Sequence, residues 1–421
     1  MASTTSSTTK ILFCASYPTQ PIGYSRVANI LSNALATYED VKVYYFGFSN
    51  YPQVAQDRYV NENITMIDVL SEEGFVDGKE NFGVNLIEKY LTTINPDIVF
   101  IYNDIIVTCR LINAIIEYKK KSYAHKFKLA CYIDLVYKNE RALYLNHLRR
   151  NADLVFVFSP SWKTHLVDLG FDSTKVKILP HGINKHVFKP EFPEDAREDL
   201  KLGHDDFIVL NTNRNTYRKM WDISIKAFLL FLKKQKCNSK IKLLVNCKIE
   251  DASGYRIKEL ILLYCRELEL DESAVMNEHI VMLSTAGQAT DETICLMYNA
   301  STIGLNTCCG EGFGLCNVEH AYFGAPQVVS GVGALKDIFS NDMSRVITPV
   351  LSIECPNLLD DHNGTLEICR AEDFAEAMSY YYENPDMIKQ HGNTVKERVN
   401  RLFDWDVILD QFFKDLAPLF V

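Results

Sequence analysis

Short apolar runs alternate with amphipathic stretches along most of the chain. The runs form two series, at 11–16, 41–48, 97–103, 128–135, 154–160 and 176–182, and at 207–213, 242–248, 279–284, 301–307, 326–331 and 345–350. They contain continuous Val, Ile and Leu rather than strict alternation, which is typical of parallel strands buried on both faces. The stretches between them, such as 25–37 and 220–234, have the period of amphipathic helices. The pattern predicts an α/β fold with two doubly wound parallel sheets.

The length of the chain and the break between the two series predict two domains. A chain of 421 residues is long for a single core. Residues 184–199 have the prolines, the charges and the missing periodicity of a linker. We therefore expect a first domain at 1–186 and a second domain at 187–402. The C-terminal stretch, 403–421, is strongly amphipathic and is expected to form a helix that packs back on the first domain.

Composition and charge argue against several classes of protein, among them nucleic-acid binders and membrane-spanning proteins. With 47% apolar and 23% charged residues the chain is typical of a soluble globular protein, and a net charge of −10 argues against a general nucleic-acid binder. The twelve cysteines lack the spacing of a metal site or a disulfide framework, which favours reduced thiols and a cytoplasmic protein. No stretch approaches the roughly twenty apolar residues of a membrane span. We expect at most a peripheral membrane contact.

The loop and helix GEGFGLCNVEHAYFG (310–324) carry two glutamates, Glu311 and Glu319. The glycines let the backbone approach a ligand closely, and the amides of residues 313–315 would face an anionic group at the positive end of the helix. Carboxylates accept hydrogen bonds from hydroxyl groups, so Glu311 suits a sugar and Glu319 suits the paired hydroxyls of a ribose. A structural turn followed by a solvated glutamate explains the loop alone equally well.

A second motif, NTNRNTYRKMWD (211–222), brings Arg214, Arg218 and Lys219 to one strand–helix junction. An arginine fork and a lysine point charge suit a diphosphate, both for binding it and for stabilising it as it leaves. A solvated basic turn is the alternative for this motif taken alone. Both motifs follow strands of the second domain, and ligands of parallel sheets bind beyond the carboxyl ends of the strands. We therefore predict one site in the cleft between the domains.

Residues of the first domain are expected to face the same cleft. Gly23 permits a tight turn after the first strand, and Ser25 is expected to cap the helix that follows. Asp134 ends a strand, where its carboxylate either faces the cleft or caps a helix. For His181 a turn is favoured over a catalytic role. The first loop has no G-x-G-x-x-G pattern, which argues against a dinucleotide-dependent oxidoreductase.

Over nearly its whole length the chain resembles the retaining glycosyltransferases of family 4, which have the GT-B fold of two facing Rossmann-like domains. The resemblance lies in the Glu-x7-Glu block (310–338), in the interdomain segment LPHGINKHVFKP (179–190) and in an arginine and a lysine five residues apart. It implies a first domain on the acceptor side and a second domain that binds a nucleotide sugar. The implied donor site comprises Gly23, Arg214, Lys219, Leu283, Ser284, Gly312, Phe313, Gly314, Leu315 and Glu319. The implied catalytic set is Arg214, Lys219, Glu311 and Asp134, the last at a position where the family often has histidine.

The resemblance further implies transfer of a hexose to an acceptor hydroxyl on a glycan or a lipid-linked glycan. GDP-mannose is the donor favoured by analogy with the family. No cofactor or metal is expected, because Arg214 and Lys219 would neutralise the diphosphate. Two alternatives stay open at this level, a nucleotide-sugar epimerase of similar fold and a catalytically silent nucleotide-sugar-binding protein. Release of nucleoside diphosphate distinguishes the three.

Overall fold

The computed structural model describes residues 8–75, 82–191, 193–252, 254–283, 289–354 and 362–420, and the structural statements below concern these residues. Their first large feature is a seven-stranded sheet in which every pair of neighbouring strands is parallel. Its strands are β1 (Thr9–Ser16), β2 (Val41–Phe48), β3 (Ile64–Asp68), β4 (Ile98–Asp104), β5 (Lys128–Asp134), β6 (Leu154–Val157) and β7 (Val176–Ile178). Their order in the sheet is β3-β2-β1-β4-β5-β6-β7.

A second parallel sheet of six strands follows in the chain. Its strands are β8 (Phe207–Asn211), β9 (Ile241–Val245), β10 (Ile280–Met282), β11 (Ile303–Asn306), β12 (Gln327–Ser330) and β13 (Arg345–Ile347), in the order β10-β9-β8-β11-β12-β13. An antiparallel hairpin of β14 (Leu351–Glu354) and β15 (Thr365–Ile368) comes after it. We call the part of the chain that carries the first sheet the first half, and the part that carries the second sheet the second half.

Helices form most of the crossover connections between the parallel strands. In chain order they are α1 (Gly23–Leu35), α2 (Ile87–Ile94), α3 (Ile105–Lys119), α4 (Ala142–Asn151), α5 (Pro160–Asp168), α6 (Pro193–Asp199), α7 (Trp221–Lys234), α8 (Ile257–Glu267), α9 (Glu272–Ala274), α10 (Asp291–Ala300), α11 (Leu315–Tyr322), α12 (Leu335–Ile338), α13 (Ala371–Glu383), α14 (Pro385–Leu402) and α15 (Trp405–Leu416). Within the described ranges, no helix combines the length and the apolar character that a membrane crossing requires.

The predicted fold class is confirmed: the chain is α/β with two parallel sheets. Each of the twelve apolar runs contains a strand, because such runs can be buried on both faces only between layers of helices. The short edge strand β3 and the hairpin were not predicted. Every residue of β14 is exposed, so this strand has no continuous apolar run.

One local prediction was wrong, and one segment has more structure than its pattern indicated. Residues 184–199, the predicted linker, contain the short helix α6, and Arg197 in this helix donates to the carbonyl of Ala300 at 3.0 Å. Ser25 is not a helix cap, because α1 begins at Gly23 and Ser25 is buried inside the helix. Ile22, which has an extended backbone, is the residue that precedes the helix. The helix therefore begins about one turn earlier than expected.

The C-terminal helix α15 contacts the first sheet. The ring of Phe412 lies 5.8 Å from that of Phe100 on β4 and 5.5 Å from that of Phe156 on β6. Phe412 is fully buried, while Val407 on the same helix is 60% exposed. The amphipathic pattern of 403–421 thus corresponds to one apolar face against the first sheet and one face toward solvent.

Phe412→Ala is expected to destabilise the protein by about 3 to 5 kcal/mol, because it opens a cavity between two aromatic neighbours. Val407→Ala on the solvent side is the matched control, with an expected change within about 0.5 kcal/mol. Thermal melts followed by circular dichroism measure both variants. Equal melting temperatures for the two variants would show that α15 does not depend on this contact.

Candidate active site

The glycine loop between β11 and α11 lies against the first half of the chain. A Cβ atom on Gly312 would stand 1.8 Å from Oδ1 of Asp134, and one on Gly310 would stand 2.4 Å from the ring of Tyr137. The indole nitrogen of Trp162 donates to the carbonyl of Gly312 at 3.0 Å. Side chains at these glycines would therefore push the two halves apart. The loop is built from glycine because it is the place where the halves meet.

Gly314 ends the loop in a left-handed conformation, with φ of +85°, and α11 begins at the next residue. The amide of Leu315 therefore opens the helix, while Phe313 belongs to the loop before it. This differs from the expectation that residues 313–315 all open the helix. It also separates the two glutamates, because Glu311 lies outside the helix and does not share its face with Glu319.

Glu311 is 6% exposed and is surrounded by donors. It forms an ion pair with Lys219, a longer contact of 3.4 Å with Nη1 of Arg218, and accepts a hydrogen bond of 3.1 Å from Nδ2 of Asn306. Burial by itself would raise the pKa of the Glu311 carboxyl, but the charges of Lys219 and Arg218 outweigh burial and lower this pKa to about 2. Glu311 is therefore ionised throughout the physiological range.

A single turn, Tyr217–Lys219, carries the cations to this glutamate. The backbone carbonyl of Arg218 accepts a hydrogen bond of 3.0 Å from the amide of Cys309, and its side chain donates to the carbonyl of Gly310 at 2.7 Å. Nearby charges raise the pKa of Arg218 despite burial, with Glu311 the main contributor. These contacts attach the cationic turn to the glycine loop at both the backbone and the side chain.

Arg214 differs from Lys219 in its placement. It is exposed at the start of the same segment, and its backbone carbonyl accepts a hydrogen bond of 3.1 Å from the indole of Trp221. The sequence motif paired Arg214 with Lys219, whereas the structure brings Arg218 and Lys219 together at Glu311. Arg218 and Lys219 both belong to the turn Tyr217–Lys219, which lies against the loop, whereas Arg214 precedes this turn.

Asp134 lies at the carboxyl end of β5 and contacts both halves. Its Oδ2 accepts a hydrogen bond of 2.6 Å from the hydroxyl of Tyr24, while its buried Oδ1 has no hydrogen-bond partner among the described residues. Burial raises the pKa of Asp134 to about 6, and the Tyr24 hydrogen bond and the Arg218 charge offset this only in part. The helix-cap alternative is wrong, because the next helix begins only at Ala142.

Gly23 is at the first turn of α1, next to Tyr24. A Cβ atom at Gly23 would stand 3.4 Å from the side chain of Leu315, which is an ordinary van der Waals contact. The first turns of α1 and α11 therefore face each other across the cleft. Glycine is not required here, because neither the backbone conformation nor the surrounding space excludes a Cβ atom.

Glu319 lies one turn into α11 and is 3% exposed. Nη1 of Arg26 is 2.9 Å from Oε1, and the hydroxyl of Tyr298 donates to Oε2 at 2.9 Å. Burial raises the pKa of Glu319 to about 7, although both partners favour its ionised form. The two glutamates of the motif thus belong to two different ion pairs.

A cavity of about 610 Å³ borders this second ion pair. Residues of both halves line it, among them Arg26, Arg58, Phe188, Asp291, Leu315 and Glu319. Leu283, which was predicted near a nucleotide base, is partly buried just after β10. Ser284, from the same prediction, lies outside the described residues.

Sequence reasoning missed Tyr24, Arg26, Arg58 and Asp291. The sequence could have pointed to Tyr24 and Arg26, because both lie within one helical turn of Gly23, which was expected to face the cleft. No local pattern marked Arg58 or Asp291. Their proximity depends on the approach of the two halves.

His181 is in an aromatic cluster rather than at an open surface. Its ring centroid lies 4.4 Å from that of Phe158 and 4.7 Å from that of Phe313. Burial lowers the pKa of His181 to about 3, so the ring is neutral. Cys308 and Cys309 are buried and are not joined by a disulfide. In the described part of the chain, no group of three or more His, Cys, Asp or Glu side chains has an arrangement that could hold a metal ion.

No family model matches the chain. Two curated relatives share part of it, both named D-inositol 3-phosphate glycosyltransferase. The protein of Acidothermus cellulolyticus is 26% identical over 225 residues, which cover 52% of this chain and 48% of that protein. The protein of Pseudarthrobacter chlorophenolicus is 21% identical over 216 residues, which cover 51% and 44%. This chain thus spans about half the length of the curated relatives that it matches.

Solved structures match over nearly the whole chain. Sucrose-phosphate synthase of Thermosynechococcus elongatus is 18% identical, covers 98% of this chain and 99% of its own, and gives a TM-score of 0.73. HepE of Anabaena, solved with UDP-glucose, is 16% identical, covers 97% and 99%, and gives a TM-score of 0.69. This chain has the GT-B fold. At these identities the likeness concerns the fold, and the residues above are assigned from their own geometry.

Asp134→Asn is expected to stabilise the ligand-free protein in a pH-dependent way. The folded pKa of about 6 lies above the ordinary value, so the contribution of Asp134 to stability is fully present below about pH 4 and is lost as pH rises through 6. Asparagine has no charge to bury, so its advantage should grow from near zero at pH 4 to roughly 3 kcal/mol above pH 6.

Thermal melts of both proteins between pH 4 and pH 8 measure this difference. The exposed Asp410→Asn is the matched control and should follow the wild type at every pH. Parallel profiles for wild type and Asp134→Asn would contradict the assigned burial of the charge.

Proposed function

We propose that this protein is a retaining glycosyltransferase that moves a hexose from a nucleotide-diphosphate sugar to an acceptor hydroxyl. The observation that carries the proposal is the ion-paired Glu311, held by Lys219 and Arg218 at the point where the glycine loop meets Asp134 of the first half. Cations for a diphosphate, and carboxylates for sugar hydroxyls from both halves, are thereby within one small region. The matched glycosyltransferases and the GT-B fold support the reaction class.

The cations of the turn would hold the donor diphosphate. A lysine has three donors and an arginine five, so Lys219 and Arg218 can contact phosphate oxygens while they keep Glu311. Arg214, exposed at the same turn, would add a third charge. The amide of Leu315 at the start of α11 would face the same anion. The cavity beside Glu319 would take the nucleoside, with the carboxylate of Glu319 binding the ribose hydroxyls.

Glu311 and Asp134 would contact hydroxyls of the transferred sugar. The bond from C1 of the sugar to the diphosphate breaks, and the acceptor oxygen bonds to C1 on the same face. The departing phosphate oxygen takes the acceptor proton, so no protein nucleophile is needed. Fixed cations aimed at the charge that develops on the diphosphate supply the main catalytic stabilisation. In a double displacement, Asp134 would be the nucleophile.

For the donor we favour GDP-mannose, by the family resemblance. HepE, with the same fold, is solved with UDP-glucose, so uridine nucleotides are the direct competitor in the binding test. A glycan or lipid-linked glycan is the proposed acceptor. We further propose a cytoplasmic reaction without a metal, because cations of the chain itself neutralise the diphosphate.

Lys219→Met is expected to lower kcat/KM by about a hundredfold or more, because it removes a charge that stabilises the leaving diphosphate. Release of nucleoside diphosphate from a panel of GDP- and UDP-sugars measures the activity. Lys226→Met is the matched control, since Lys226 pairs with Glu267 on the exposed side of α7. Wild-type turnover in Lys219→Met would refute the assigned site. A wild type that releases no nucleoside diphosphate would indicate a silent binder, and one that alters the sugar without release would indicate an epimerase.

Metal removal should leave this activity unchanged. Dialysis against EDTA, followed by the same release assay with and without added Mg²⁺ or Mn²⁺, tests the expectation. The physical reason is that Lys219, Arg218 and Arg214 supply the positive charge that a divalent ion supplies elsewhere. Loss of turnover that an added divalent ion restores would overturn the metal-independent form of the proposal.

A further inference from the structure

Four charged side chains connect the two halves beside the cavity. Arg26 and Arg58 come from the first half, and Asp291 and Glu319 come from the second. Nη1 of Arg26 is 2.9 Å from Glu319 and 3.6 Å from Asp291, and Nη2 of Arg58 is 3.2 Å from Asp291. We call these four residues the ionic latch.

The ionic latch is shielded from solvent. Arg26, Arg58 and Asp291 expose 18%, 10% and 14% of their side chains. Ionic attraction is stronger in such surroundings than at an open surface, and a charge left there without its partner is costly. The free protein therefore favours the arrangement in which the two halves stay together at this point.

Both arginines make further contacts outside the latch. Nη1 of Arg58 donates to the carbonyls of Pro18, at 3.1 Å, and Gln20, at 2.6 Å. The guanidinium of Arg26 lies 5.4 Å from the ring centroid of Phe188. The contacts of Arg58 tie the loop after β1 to α10 of the second half. The latch thus joins structural elements rather than two mobile surface chains.

The latch conflicts with the ligand that Glu319 is proposed to bind. Glu319 is 3% exposed. Nη2 of Arg26 donates to its Oε2 at 3.3 Å, and Nη1 lies 2.9 Å from its Oε1, so the guanidinium covers both carboxylate oxygens. Ribose hydroxyls can reach these oxygens only if the guanidinium moves aside.

We infer that the ionic latch holds the cleft closed in the free protein and that a nucleotide donor must displace Arg26 from Glu319 in order to bind. Arg26 is then an autoinhibitory residue that lowers the apparent donor affinity. The inference rests on the proposed function, because it takes Glu319 as the ribose ligand. Binding energy of the donor is spent on opening, which couples donor entry to movement of α1 away from α11.

The test compares wild type with Arg26→Gln and Arg26→Lys by titration calorimetry with UDP and GDP. Arg26→Gln should bind the preferred nucleotide about fivefold or more tightly, the lower end of usual coupling between sites. Arg26→Lys retains the charge and should bind more nearly as the wild type does. Glu367→Gln is the matched control, because Glu367 and Lys138 form another ion pair between the halves without touching the latch.

A second measurement needs no ligand. Hydrogen–deuterium exchange of the free proteins should show faster exchange in the first turns of α1 and α11 in Arg26→Gln, and no change there in Glu367→Gln. Circular dichroism melts verify that each variant is folded. Unchanged exchange at both turns in a folded Arg26→Gln would overturn the latch.

The nucleotide results separate the two proposals. Weaker binding in Arg26→Gln would mean that Arg26 is itself a donor ligand, and unchanged binding would mean that it does not compete for Glu319, so either result overturns the autoinhibitory role. If neither UDP nor GDP binds to the wild type or to any variant, the proposed donor site fails, and the autoinhibitory role fails with it. The exchange result then still reports whether the four charges hold the cleft closed.

Discussion

The ion pair between Glu311 and Lys219 is the interaction on which the rest of the cleft depends. A buried carboxylate without a partner would be too costly to keep ionised, so the loop that carries Glu311 has to remain against the turn that carries the cations. Arg218 reinforces this by donating to the backbone of the loop as well as contacting the carboxylate. The position of Gly312 follows from it, and Gly312 in turn brings the loop to Asp134.

Three carboxylates of the cleft occupy three different electrostatic environments. Cations keep the pKa of Glu311 at about 2, whereas burial raises that of Asp134 to about 6 and that of Glu319 to about 7. Differences of this kind separate the roles of chemically similar groups. Glu311 is a permanent charge, while Asp134 and Glu319 are ionised at a cost to stability that a ligand with hydroxyl groups would reduce.

The sequence motifs singled out Glu311 and Lys219, which form an ion pair in the structure, because a glycine loop and a basic strand–helix junction are readable in a few residues. The choice between Arg214 and Arg218 could not be made at that level. Both lie in the same motif, and only the turn Tyr217–Lys219 decides which one reaches Glu311. The partner of Glu319 was further out of reach, because Arg26 is 293 residues away along the chain.

The sequence by itself determined the α/β class and the strands that continuous apolar runs encode, because burial on both faces leaves a local pattern. It also determined which loops carry cations, carboxylates and glycines. Tertiary structure alone decided how these groups pair across the cleft. It determined which arginine contacts Glu311 and that Arg26 forms an ion pair with Glu319. Those contacts depend on the approach of two halves that fold around separate sheets, and the electrostatic attraction between distant residues leaves no periodic signal in the chain.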